Sequence, residues 1–216
     1  MSTTNNAADS SNKAASDAQN PCPFLRALQA LGYIDPKREP LSTVSHVVTA
    51  AMEGGIGKPS SRFEIKLIAL LGSGKSIVTF FQTLARGLRV SVLRFGPLDK
   101  QGGGSRIIDL EGNISDDQLM RLDSFAADFE DENGTLERGL DEAALNRMMD
   151  ENFARPSDRR RFDRLLMNGE WPPLLRVMGK THLSEPYLNL SEVKDLFVNR
   201  RLPQRVTKRL PPHKRN

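Results

Sequence analysis

The sequence predicts a mainly helical fold in a single domain. Apolar residues recur every three or four positions in several segments, which is the spacing of one helix face. Residues that favour helix starts, such as Ser, Asp and Pro, precede many of these segments. The chain has 216 residues, of which 38% are hydrophobic and 27% are charged, enough for one domain with a full core.

The first half of the chain is predicted to hold a tail, two helices and one ambiguous segment. Residues 1–19 are small and polar and are predicted to be disordered. A helix is predicted to begin at Pro23, because proline suits the first helical position, and a second at Leu41. Residues 61–98 are rich in apolar and β-branched side chains, which fit strands or buried helices. We therefore place a small β element in 61–98, with helix as the alternative.

The second half is predicted to be helical. A flexible loop is expected in the glycine-rich residues 98–106, and a helix follows the cap Ser115. Apolar residues at helical spacing predict further helices in three places, namely 141–153, 170–178 and 191–198, and the basic segment 158–168 is also predicted to be helical.

Positive charge is concentrated at the carboxyl end. The net charge is +4 and the pI about 9.4. Seven Lys or Arg residues and no acid lie between Asn199 and Asn216. The folded domain is assigned to 20–203, and 204–216 to a basic C-terminal tail. Such a tail is either a solvated segment or a contact for nucleic acid or another anionic partner.

The sequence lacks the features of secreted and membrane-spanning proteins. Cys22 is the single cysteine, so no disulfide can form within the chain. The amino end has no apolar signal segment, and no run of about eighteen apolar residues occurs. We expect a cytoplasmic protein with no membrane partner. A phosphate-binding loop is disfavoured, because Ala69 stands where the pattern that ends in Gly74-Lys75-Ser76 requires glycine.

Cys22 lies between two prolines at the predicted start of the first helix. The positive end of the helix dipole favours a thiolate there, and Pro21 and Pro23 fix the backbone around the sulfur. A thiolate is a strong donor to iron and promotes cleavage of an O–O bond. Two alternatives stay open: a buried, inert cysteine, and a nucleophilic or redox thiol, which needs a histidine or lysine nearby.

Residues 128–138 form an acidic block, with four acids in the first five positions. Like charges this close repel one another unless a cation or solvent balances them. An EF-hand is excluded, because Phe129 and Leu140 occupy positions that need oxygen ligands. A solvated loop and a site for a hard cation are the two interpretations that this block allows.

Three blocks resemble the heme-thiolate peroxidases, the family of chloroperoxidase and unspecific peroxygenase. Residues 20–34, NPCPFLRALQALGYI, are similar to the segment that carries the iron ligand in that family. Residues 131–138 are similar to the motif Glu-His-Asp-(Ala or Gly)-Ser-Leu-x-Arg. Residues 169–179 and 195–203 are similar to the stretches Gly-Glu-x-x-x-Leu-x-x-Val-x-Gly and Phe-Phe-x-x-x-Arg-Leu-Pro.

The resemblance implies a helical heme-thiolate peroxidase-like domain that holds one heme b. Cys22 would be the proximal iron ligand, and Glu170 the distal acid–base that takes a proton from hydrogen peroxide. Asp131, Asn133 and Thr135 would be oxygen ligands of a magnesium ion beside a heme propionate.

The implied activity is that of an oxidoreductase, a peroxidase or peroxygenase that uses hydrogen peroxide to oxidise or oxygenate a small organic substrate. Glu132 stands where the family has its distal histidine, which argues against halide oxidation. Two other functions stay open. One is a family member that keeps the fold without catalysis. The other is a protein that binds nucleic acid or a partner through its basic tail.

Overall fold

The computed structural model describes residues 20–35, 37–73, 76–93, 114–154, 168–183 and 185–212. Over these residues the chain is mainly helical, with one small four-stranded antiparallel sheet, which confirms the predicted fold class at this level. The predictions for 1–19, for 98–106 and for most of 158–168 lie outside the described residues. No helix within the described ranges is long and apolar enough to cross a membrane.

The helices begin where the sequence supplies a cap. Ser61, Ser76, Ser115 and Asn189 each accept a backbone N–H from the first turn of the helix that follows. In the described ranges the helical elements are α1 (Pro23–Ala30), α2 (Leu41–Met52), α3 (Arg62–Gly72), α4 (Ile77–Arg86), a 3₁₀ turn (Val90–Leu93), α5 (Asp116–Phe125), α6 (Glu142–Ala154), α7 (Trp171–Met178), α8 (Leu190–Lys194), a π-helical turn (Asp195–Asn199) and α9 (Gln204–Thr207).

The described residues of 61–98, for which the sequence allowed a small β element or helices, are mainly helical. The described part of that segment forms α3, α4 and the 3₁₀ turn, and its β pairing is an isolated bridge between Glu39 and Leu88. A capping box at the start of α3 explains the helix. The N–H of Glu64 donates to Ser61 Oγ (3.2 Å), and the N–H of Ser61 donates to Glu64 Oε2 (2.7 Å). The two donors that are satisfied at this end stabilise the helix. This outweighs the preference of the β-branched residues for strands.

The sheet is built from two segments in the second half of the chain. Its strands are β1 (Ala127–Glu130), β2 (Leu136–Asp141), β3 (Lys180–His182) and β4 (Glu185–Asn189), in the order β1-β2-β4-β3 with antiparallel pairing throughout. Gly139 in β2 leaves room for two aromatic rings, because a Cβ there would lie 2.5 Å from Tyr187 and 2.8 Å from Phe129. These two rings stack with centroids 4.4 Å apart.

One large hydrophobic core joins the helices to the sheet. Leu28 of α1, Leu145 of α6 and Trp171 of α7 are each at most 2% exposed. Leu188 of β4 and Val206 of α9 are buried to the same extent. Burial of this kind is the main favourable contribution to folding. The core therefore holds in place α1 and α7, the helices that begin next to Cys22 and Glu170.

Part of the predicted basic tail packs onto this core. Residues 204–212 include α9, whose Val206 is fully buried. Arg205 donates hydrogen bonds to both carboxylate oxygens of Glu192 and to a backbone carbonyl of α7. Arg209 donates to one backbone carbonyl of α2 and one of α7. Arg205 and Arg209 are two of the basic residues that would contact nucleic acid under that alternative. In the structure they bind other parts of the same domain.

Leu210 tests the contribution of this C-terminal segment to stability. Leu210 is 8% exposed, so Leu210→Ala should lower the free energy of unfolding by about 2–3 kcal/mol, through lost burial and the cavity left behind. Leu183→Ala is the matched control: Leu183 is 87% exposed, and the change should stay within about 0.5 kcal/mol. Urea denaturation followed by circular dichroism measures both. Equal, small effects would contradict the packing of 204–212 on the core.

Candidate functional site

Cys22 is the residue immediately before α1, and its backbone is extended, with φ −90° and ψ 113°. Pro23 is the first helical residue, as predicted. The N–H of Cys22 donates to Asn20 Oδ1 (3.1 Å), and Asn20 Nδ2 donates to Gln29 Oε1 (2.6 Å). Asn20 is 1% exposed, so a buried amide ties the Cys22 segment to the last turn of α1.

The Cys22 sulfur is a protonated thiol at neutral pH when no metal is bound. Burial raises the pKa of the Cys22 thiol above its usual value, and the charge of Glu170 raises it further. The backbone N–H groups of Leu25 and Phe24 donate to the sulfur and, together with the charge of Arg26, lower this pKa in part. Burial outweighs these amides, so it opposes the thiolate that the helix start favours. A bound cation would stabilise the deprotonated form.

Glu170 lies at the start of α7, as Cys22 does at the start of α1. The helix begins at Trp171, and Pro172 and Pro173 occupy its first turn, where proline is tolerated. This confirms that Glu170 lies at a helix start. Its charge contributes, after burial, to raising the pKa of the Cys22 thiol, so the two side chains lie within electrostatic range of each other. The fold therefore brings together two predicted site residues that are distant in the sequence.

Trp171, the residue after Glu170, is a buried aromatic side chain with a polar indole N–H. It is 1% exposed, and its ring stacks on Phe197 of the π-helical turn with centroids 5.9 Å apart. The π-helical turn also contacts α1. Trp171 Nε1 is buried, and no acceptor for it occurs among the residues that the structure describes. A buried N–H without an acceptor costs free energy, so a bound polar group would be favourable here.

Asp131, Asn133 and Thr135 come together in the loop between β1 and β2. The N–H groups of Thr135 and Asn133 donate to Asp131 Oδ1 (2.8 and 2.9 Å), and they hold the pKa of Asp131 below its usual range. Gly134 completes the loop with a φ of 78°, which favours glycine. This geometry favours the interpretation that the Asp131 carboxylate stabilises the turn in which it lies. Within the described ranges, no three side chains of His, Cys, Asp or Glu form a group that could hold a metal ion.

The acidic loop and the Cys22 site have different electrostatic neighbours. Lys180 lowers the pKa of Asp131 through its charge, whereas the charges that act on Cys22 are those of Arg26 and Glu170. The structure thus pairs Cys22 with Glu170 and groups the three loop residues separately.

A polar cluster across the sheet was missed by the sequence analysis. Lys180 Nζ donates to both carboxylate oxygens of Glu137 (2.6 and 2.7 Å), and Tyr187 Oη donates to Glu137 Oε2 (3.0 Å). Burial raises the pKa of Glu137, but hydrogen bonds from Lys180, Asn189 and Tyr187 outweigh it and keep this pKa below its usual value. Burial and the neighbouring carboxylate raise the pKa of Tyr187 to about 12. The cluster joins β2, β3 and β4, and only the strand pairing could have revealed it.

Comparison with known proteins gives no match: no family model, no curated protein and no solved structure matches this chain. The resemblance to heme-thiolate peroxidases therefore stays a prediction. It rests on three sequence blocks, and the fold and the site geometry do not depend on it.

The raised pKa of Cys22 predicts slow alkylation of the metal-free protein at neutral pH. The reactive species is the thiolate, so the rate with iodoacetamide should rise about tenfold per pH unit between pH 7 and 8.5. It should stay below the rate of free cysteine throughout. Mass spectrometry of the alkylated protein measures the rate, and a rate that is high and constant from pH 6 to 8 would contradict the protonated thiol.

Glu137 makes a pH-dependent contribution to stability. Its pKa is lower in the folded state, so its contribution is present at neutral pH and is lost as the pH falls through the folded-state pKa. Glu137→Gln should lower the free energy of unfolding at pH 7 by about 2 kcal/mol and reduce the further loss between pH 6 and 3. Glu132→Gln, in the exposed loop, is the control and should change stability by less than about 0.5 kcal/mol. Identical pH profiles for Glu137→Gln and the unaltered protein, from urea denaturation, would refute this role.

Proposed function

We propose that this protein is a heme-thiolate peroxidase or peroxygenase that uses hydrogen peroxide to oxidise or oxygenate a small organic substrate. One observation carries the proposal: Cys22 and Glu170 lie at the starts of two helices of one core, within electrostatic range of each other. An iron ligand and a proton carrier are the two protein groups that this chemistry requires. The resemblance of three sequence blocks to that family supports the same assignment.

The residues around Cys22 fit a thiolate-bound heme. Cys22 lies at the edge of the core: the residue is partly exposed, although its sulfur is buried. The amides of Phe24 and Leu25 already donate to its sulfur, and such bonds tune a metal-bound thiolate. The N–H of Trp171 is available to a polar group of a ligand. When bound, heme would supply the iron to which Cys22 donates electron density and with it the redox chemistry of O–O cleavage.

Glu170 would carry the peroxide proton. Cleavage of hydrogen peroxide into water requires that a proton leave one oxygen and reach the other, which departs as water. A carboxylate at the right distance can accept that proton and return it. The substrate then either gives up two electrons and two protons, so that the second oxygen also leaves as water, or takes up that oxygen atom, and both routes balance. Glu132, the other acid in the resembling motif, lies in the exposed loop of the β1–β2 hairpin and is not assigned this role.

Heme titration tests the ligand assignment. The heme-free full chain should bind one equivalent of hemin with a new Soret band. Cys22→Ser should reduce the affinity at least tenfold and change the position of that band, because the sulfur is the only protein ligand assigned. Circular dichroism establishes that the variant is folded. Unaltered affinity and spectrum in Cys22→Ser, or a wild-type chain that binds no hemin, would overturn the assignment.

Glu170→Gln tests the proton carrier separately from heme binding. An amide cannot accept the proton, so peroxide-dependent oxidation of a phenolic dye should fall about 10²–10⁴-fold with the heme spectrum unchanged. Glu132→Gln is the matched control and should keep the wild-type rate. Heme binding without turnover in the wild-type chain, and no effect of Glu170→Gln, would instead favour a family member that has lost catalysis.

A further inference from the structure

Helix α4 turns its apolar side to solvent. Ile77, Val78, Phe81 and Leu84 are between 54% and 73% exposed, and the only buried side chain of the helix is that of Thr83. An amphipathic helix on the surface of a monomer normally does the reverse and buries its apolar face. The exposed side of α4 is therefore a surface that needs a partner.

Helix α3 adds a second apolar stripe beside it. Phe63, Leu67 and Leu71 follow one another at intervals of four residues and are 74%, 43% and 57% exposed. The two helices are in contact and are separated in the chain by Ser73–Ser76. We call the exposed apolar side chains of both helices the α3–α4 face: Phe63, Leu67, Ile68, Leu71, Ile77, Val78, Phe81 and Leu84.

The size of the α3–α4 face matches half of a stable dimer interface. At roughly 150–200 Å² for a fully exposed side chain of this size, the face presents about 800 Å² of apolar surface. The largest apolar patch of a typical monomer is about 300–600 Å². A stable interface of standard size buries about 800 Å² on each partner.

The composition of the face favours a protein partner over a lipid surface. The charged residue of α4 is Arg86, at its last position, so the centre of the face on this helix is uncharged and carries Phe81. Depletion of charge around an aromatic centre is typical of protein interfaces. Neither α3 nor α4 contains Trp or Tyr, the side chains that concentrate at membrane interfaces.

We infer that two copies of this chain associate through the α3–α4 face, with α3 and α4 of one copy packed on those of the other across a two-fold axis. An apolar face without charges can pack against an identical face. A second copy of the chain carries the same face and is always present at the same concentration. Two helix pairs that pack in this way form a four-helix arrangement, a common solution for burying such stripes.

Analytical ultracentrifugation of the full chain at micromolar concentration tests this inference. The wild-type protein should sediment with twice the 24.1 kDa mass of one chain. Leu84→Glu should raise the dissociation constant at least about 30-fold, because it places a charge within the apolar interface. Met120→Glu is the matched control: Met120 is 64% exposed on α5, away from the face, and the variant should remain a dimer.

Three results would overturn the inference. The first is a wild-type chain that is monomeric, and the second is a dimer that Leu84→Glu does not weaken. The third is a monomer that co-sediments with vesicles of phosphatidylserine and phosphatidylcholine and loses this binding in Leu84→Glu. That last result would assign the face to a lipid surface. Circular dichroism of Leu84→Glu shows whether a loss of association reflects unfolding.

Discussion

The burial of the Cys22 thiol at the start of a helix shapes the candidate site. Burial is the main cause that raises the pKa of this thiol, and the charge of Glu170 adds to it. Both lie at helix starts, where the dipole and the unpaired N–H groups favour negative charge. Burial favours the protonated sulfur, whereas the helix start favours the thiolate. Under the proposed function, a bound iron would replace that proton and stabilise the thiolate.

The rest of the fold holds these two helix starts in place. The buried amide of Asn20 ties the Cys22 segment to α1. Helix α7 is held at its first residue by the stacking of Trp171 on Phe197. Near its other end, Arg205 and Arg209 donate to its backbone carbonyls, which are otherwise unpaired at a helix end. The basic C-terminal segment thus supports the site through α7, which is a structural use of its charge.

The sequence predicted the parts of the structure that depend on local signals. Pro23 located the start of α1, and apolar spacing located α7 within 170–178, in agreement with the structure. The sheet was missed because its strands are only three to six residues long, and because the Glu137–Lys180 pair forms only when distant strands meet. Residues 61–98 were left open between strand and helix, because the β-branched composition favours strands and the capping box at Ser61 favours a helix.

Two features of the site and surface could not be read from periodicity or position alone. The sign of the pKa shift of Cys22 depends on burial, which the helix dipole argument leaves out. The apolar spacing of α4 is that of a core helix, but spacing does not say whether the face meets its own core or a second molecule. Both require the three-dimensional packing.

The most direct test of the central claim is the absorption spectrum of the carbon monoxide adduct of the reduced, heme-loaded protein. Sulfur ligation by Cys22 predicts a Soret band at the long-wavelength position that a thiolate ligand gives, and loss of that band in Cys22→Ser. A band at the shorter wavelength typical of a nitrogen ligand, or a band unchanged in Cys22→Ser, would contradict the account.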